Sequence, residues 1–142
     1  MRQLPDDPQI ANDDRLWRGL QRDQFVRQDD GSYRVSSAAF KTDGDGEVSV
    51  NVARFTTEVE ALRHAPSGHM AEVEASLPRS FCMTDETNSM SRCYTVALYE
   101  EPDNPGHAHI HPWDDIKRGR YEKYAKRIAL GATIVPPYPR PF

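Results

Sequence analysis

The chain has 142 residues, 18 basic and 22 acidic side chains, a formal net charge of −4, a hydrophobic fraction of 37% and a mean hydropathy of −0.77. A chain of this size buries enough apolar surface to fold as one domain without disulfide or metal staples. The acidic balance argues against nucleic acid as the partner, no apolar run is long enough for a membrane helix, and the start MRQLPDDPQI has no signal-like apolar core, so the expected location is cytoplasmic.

Taken in chain order, residues 1–12 read as an extended arm, because Pro5, Asp6, Asp7 and Pro8 oppose regular structure. Leu16-Trp17-Arg18-Gly19-Leu20 is a short strand or helical turn, and Gln24-Phe25-Val26 follows it. Asp29-Asp30-Gly31-Ser32 is a turn by composition, and Tyr33 to Phe40 reads as a strand. Thr42 to Gly46 is a second turn, leading into Val48 to Arg54, where three valines alternate with polar or small residues and share one buried face. The two strands flanking that turn form a candidate hairpin. Asp43-Gly44-Asp45-Gly46-Glu47 has carboxylates but not the twelve-residue spacing of a calcium loop, so it reads as a solvated turn.

Thr57 to Arg63 has the signature of a short helix, with Thr57 as N-cap and Glu60 at capping-box spacing. Met70 to Leu77 alternates as a half-buried strand, residues 82–92 read as a polar loop, and Tyr94 to Tyr99 is a further strand. Pro102 to Gly106 is a turn, and His107 to His111 a short edge strand. A longer helix runs from Trp113 to about Leu130, capped by Asp114 or Asp115, with Tyr121, Tyr124, Ala125 and Ile128 on its inner arc and Gly131 as its stop. The tail from Val135 is polyproline-like and is expected to join no ladder.

The reading is therefore a single α+β domain over 1–142, with an arm at 1–12 and a Pro-rich tail at 132–142. Its sheet is mostly antiparallel, with about five or six short strands, one longer C-terminal helix and one short helix.

The sharpest chemical feature is Gly106-His107-Ala108-His109-Ile110-His111-Pro112-Trp113. In an extended segment all three imidazoles leave from one face. Such a row either lies exposed along an edge strand or gathers a divalent metal on His107, His109 and His111, with Asp114 or Asp115 as a carboxylate ligand. It could equally hold a phosphate. Over these seven residues the pattern resembles the motif of the histidine-triad nucleotide hydrolases, and that resemblance implies His109 as nucleophile on a phosphate. Arg18, Ser36-Ser37 and Glu72-Val73-Glu74 follow the order of the arginine, serine and Glu-x-Glu elements of ADP-ribosyltransferases, which they resemble loosely. His64 and His69 read as surface residues, and Cys82 and Cys93 as packing or loop thiols whose pairing the sequence leaves open. Lys117, Arg118, Arg120, Lys123, Lys126 and Arg127 stand against Glu122 alone, a basic stretch on an acidic chain.

Leu16-Trp17-Arg18, Ser36-Ser37-Ala38-Ala39-Phe40, Val48-Ser49-Val50 and Pro102, Asn104, Pro105, His107 recur in an order that resembles a group of small bacterial proteins with no settled activity. The resemblance implies Arg18, Ser36, Ser37 and His107 as a shared site, and an accessory role. Two functions stay open. One is an accessory module that binds a protein partner through its termini and basic helix. The other is a phosphate- or nucleotide-handling enzyme with Arg18, His107 and His109 as catalytic residues and Arg18, Ser36 and Ser37 on the substrate. An enzyme would gather these residues in one hollow.

Overall fold

The computed structural model describes residues 3–41, 46–85, 87 and 90–138. Its strands are β1 (Arg15–Gly19), β2 (Phe25–Arg27), β3 (Tyr33–Val35), β4 (Val48–Val52), β5 (Met70–Glu74), β6 (Cys82–Asp85), β7 (Met90–Cys93), β8 (Thr95–Leu98), β9 (His107–His111) and β10 (Thr133–Val135). Its helices are α1 (Glu58–Leu62), α2 (Ser76–Arg79) and α3 (Arg118–Leu130). The fold is mixed α+β. Its main sheet has six strands in the order β10-β5-β1-β4-β9-β8, and every neighbouring pair is antiparallel.

Period-two alternation decides what each face carries. Val48, Val50 and Val52 of β4 are buried, as are Ala108 and Ile110 of β9 beside them. This apolar face meets α3, whose Tyr124, Ala125, Ile128 and Ala129 join Leu16, Val35, Phe40 and Trp113 in one core cluster. The opposite face carries Ser49, Asn51 and the three histidines. Over its β1–β5 half, α1 seals this second face: Ala61, Ala65 and Met70 pack together with Trp17 and Leu62. Gly19 allows that close approach, since a Cβ there would stand 2.5 Å from the His64 carbonyl oxygen.

The arm is draped rather than loose. Asp7 N donates to the Val96 carbonyl, Arg79 ties Asp6, Asp7 and Asn12, and Ile10 is buried in the core. Arg54 holds Asp14 with two donors, at 2.9 and 2.8 Å, and also reaches the Gln9 carbonyl. As expected, Thr57 caps α1 by accepting from Glu60 N.

Several elements differ from the sequence reading. The Tyr33 to Phe40 strand stops at Val35, because Ser36 Oγ accepts from Ala38 N and starts a 3-10 turn over Ser37–Phe40. β3 pairs with β2, not with β4, since both edges of β4 are taken by β1 and β9. Most of the turn expected between those strands, residues 42–45, lies outside the described residues, as does the end of the tail, 139–142. The strand from Met70 ends at Glu74, where Ala75 N and Ser76 N turn to the carbonyls of Asp14 and Asn12 and α2 begins. The expected polar loop at 82–92 contains the β6–β7 hairpin, with Cys82 directly opposite Cys93 and joined to it by a disulfide.

α3 starts at Arg118 rather than near Trp113. Asp114 instead accepts from Gln3 N and Asp115 pairs with Arg92, so neither aspartate caps the helix. The tail does join the ladder: Val135 pairs with Met70, and the Val135–Pro136 peptide is cis.

Candidate functional site

β9 is an interior strand, paired with β4 on one side and β8 on the other, so the histidine row is not an exposed edge. The side chains of His109 and His111 are only 6% and 3% exposed, and that of His107 18%. Alternation does aim the three rings to one side, with centroids 4.9 Å apart for His107–His109 and 5.5 Å for His109–His111. Tyr99 lies over His109 at 4.7 Å. Burial lowers His109 to about 4, and the neighbouring imidazoles of His107 and His111 add to the shift. Burial also lowers His111, against the opposing pull of Asp114. Both rings are therefore neutral at pH 7 and each keeps a lone pair for a ligand or a proton.

The carboxylate that meets this row is Glu47, which the sequence reading placed in a solvated turn and did not connect with the histidines. Val48 pairs with Ile110 and Ser49 with His109, so Glu47, one step further along, lies across from His111 and on the face of Ser49 and Asn51. Gly46 makes the turn into the strand with φ +79°, a conformation that suits glycine. Glu47 Oε2 lies 3.3 Å from His109 Nδ1 and 4.0 Å from His111 Nδ1. His107 stands apart from this trio, with Glu101 Oε2 2.6 Å from its Nδ1. Asp114 and Asp115, the carboxylates proposed from sequence, are committed to Gln3 and Arg92.

Beside the row, β1 and β4 pair at Leu16–Val52 and Trp17–Asn51, and beyond Trp17 and Asn51 a cleft of about 420 Å³ opens. Trp17, Arg18, Asn51, His64, Glu101 and His107 line it. Arg18 and His107 thus share one hollow, as an enzyme would require. The Arg18 guanidinium is nevertheless engaged by backbone, donating from Nε to the Ala39 carbonyl and from Nη1 to the Ser49 carbonyl at 3.1 and 2.9 Å. Burial lowers its pKa from the ordinary arginine value.

Ser36 and Ser37 do not reach this hollow. They start the 3-10 turn whose Ala39 and Phe40 join the core cluster under α3. Glu72 accepts from Trp17 Nε1 and sits 3.8 Å from Arg15, so the arginine, serine and Glu-x-Glu elements are not gathered in one place.

Two further surfaces were singled out by sequence. The tail folds back on its own domain: Tyr138 stacks on Phe25 at 4.4 Å and meets Tyr33 and His69 edge-on. His69, expected at the surface, is 5% exposed, with Nδ1 2.7 Å from the Pro136 carbonyl oxygen. α3 keeps Lys117, Arg118, Arg120, Lys123, Lys126 and Arg127 exposed, and Leu130 beside them is 61% exposed. No helix among the described residues is long and apolar enough to cross a membrane. Comparison with known proteins finds no matching family model, no similar curated protein and no similar solved structure.

Proposed function

We propose that the domain is an accessory binding module that docks an acidic segment of a protein partner on the outer face of α3. The observation that carries this reading is the row of Arg120, Lys123 and Arg127, all exposed at i, i+3 and i+7 spacing, with Lys126 and Leu130 alongside. Among the described residues, Arg118 at the start of the helix is the one of its cations that pairs with a carboxylate, Glu122 at 3.0 Å. Such a row raises the encounter rate with an acidic partner and loses that effect as salt screens it. The exposed leucine supplies an apolar contact at its end.

The test uses a defined acidic peptide carrying a leucine pair, read by fluorescence anisotropy at low and high salt. Binding should weaken with salt and fall by about tenfold or more in the R120E/K123E/R127E chain. Equal binding by both chains, or binding of a single-stranded oligonucleotide in place of the peptide, would overturn the reading.

A second reading, a phosphate-bearing small ligand in the cleft, is favoured by one observation: Arg18 and His107 line the same hollow. Against it stand Glu101 and Asp103 on the same wall and the backbone engagement of Arg18. Location is tied to the Cys82–Cys93 bridge, which an oxidising compartment preserves and the cytoplasm reduces. A cytoplasmic chain should therefore show both thiols free to alkylation after rapid acid quenching.

A further inference from the structure

We propose that Glu47, His109 and His111 form a divalent-metal site, with Zn²⁺ the ion their donor set fits best. The inference is independent of the α3 surface. Each residue offers one ligand atom, and the three atoms lie within 4.8 Å of one another. Around a tetrahedral ion with bonds near 2.0–2.1 Å, ligand atoms stand about 3.3 Å apart. Glu47 Oε2 and His109 Nδ1 are already at that spacing, 3.3 Å, and His111 Nδ1 is 4.0 Å from the same oxygen. Coordination requires the His111 ring to move toward the other two ligands, which lie within 4.8 Å of it.

A second observation points to a ligand. His109 Nδ1, the nitrogen that faces Glu47, is buried with no hydrogen-bond partner among the described residues; on His111 the unpartnered buried nitrogen is Nε2, on the other side of the ring from the Nδ1 nearest Glu47. Buried polar atoms are nearly always satisfied, and those left over mark a missing water or ion. The chemistry narrows the choice further. Two neutral imidazoles and one carboxylate are borderline nitrogen and oxygen donors, suited to Zn²⁺ and its transition-metal neighbours. Ca²⁺ and Mg²⁺ want all-oxygen cages.

The scaffold is suited to holding such an ion. Two of the ligands sit on β9 and the third leads into β4, its hydrogen-bonded neighbour, so the sheet register fixes their separation. His107 is outside the set, because its Nδ1 faces Glu101 Oε2, 2.6 Å away, and not Glu47. Three protein ligands leave a fourth position for water or another donor, as in open zinc sites.

The test uses the untagged full chain, stripped with chelator and titrated with Zn²⁺ by calorimetry. In parallel, Co²⁺ is added and its visible spectrum recorded. One ion per chain and the intense bands of four-coordinate Co²⁺ are expected. Glu47→Gln should weaken Zn²⁺ binding by at least about tenfold, and His107→Ala should leave it within about twofold. To remain independent of variant folding, ¹⁵N shifts of the imidazoles in the unaltered chain should move on Zn²⁺ addition for His109 and His111 and stay fixed for His64. Failure of the unaltered chain to take up a stoichiometric ion would overturn the site. So would loss of binding in His107→Ala with Glu47→Gln unaffected, or Zn²⁺-dependent shifts confined to His64.

Discussion

The two sides of β9 are both buried and are held by different physics. Ala108 and Ile110 face the valines of β4 and the inner arc of α3, where contact among apolar side chains is enough. One residue away, His109 and His111 are as well covered but bring nitrogen atoms that nothing described in the protein satisfies. A strand gains stability from burying its first face. Its second face stabilises the fold only when something completes the polar set. The difference separates the part of the molecule built for folding from the part available for function.

Breaking the apolar side should have the largest effect. Ile110→Ala removes a side chain that is 1% exposed, and should cost about 2–5 kcal/mol in urea unfolding. His109→Leu, measured in chelator, replaces an unsatisfied polar group by an apolar one of similar size and should cost less than about 1 kcal/mol. Equal losses would erase the contrast.

Next in size is metal addition. At a free Zn²⁺ concentration of about 100 Kd the native state gains about 2.7 kcal/mol, which raises the melting temperature by several degrees. Glu47→Gln should abolish most of that rise, and Ile110→Ala should keep it.

A smaller effect is expected at the rim of the apolar side, where the arm inserts Ile10. The hydrogen bonds from Arg54 hold the Asp14 carboxyl below the usual carboxylate range, against the opposing effect of burial. A depressed native value means the contribution is complete above the unfolded pKa, near pH 4, and fades as pH falls through the native value. Asp14→Asn should cost about 1 kcal/mol at pH 7 and nothing once both states are protonated, checked by denaturation across pH.

The smallest effect on stability belongs to the R120E/K123E/R127E chain. Its unfolding free energy should stay within about 0.5 kcal/mol of the unaltered protein even as acidic-peptide binding is lost.

Local pattern made part of this legible in advance. Alternation in Val48 to Val52 and in His107 to His111 placed the valines on one face and the imidazoles together on another. The Thr57 cap and the inner arc of α3 were also readable, because each depends on residues within a few positions. What depended on distant partners was not. Nothing in residues 33–52 says that β4 will pair with β1 and β9, so the turn between the two runs suggested a hairpin that does not form. The same pairing brings Glu47 to His111 across more than sixty positions of sequence, although its period-two relation to Ser49 and Asn51 was a usable signal. Asp114 and Asp115 looked like caps until Gln3 and Arg92 claimed them. Ser36 and Ser37 adjoin Arg18 in a motif, but the backbone of the 3-10 turn takes them to the core side.

The most direct measurement is anomalous X-ray diffraction at the zinc absorption edge, from crystals of the untagged chain equilibrated with one equivalent of Zn²⁺. A single strong peak is expected between β4 and β9, about 2.0–2.2 Å from an imidazole nitrogen of His109, an imidazole nitrogen of His111 and a carboxylate oxygen of Glu47. Density on His107 and Glu101 instead, or no peak on this face of the sheet, would contradict the account.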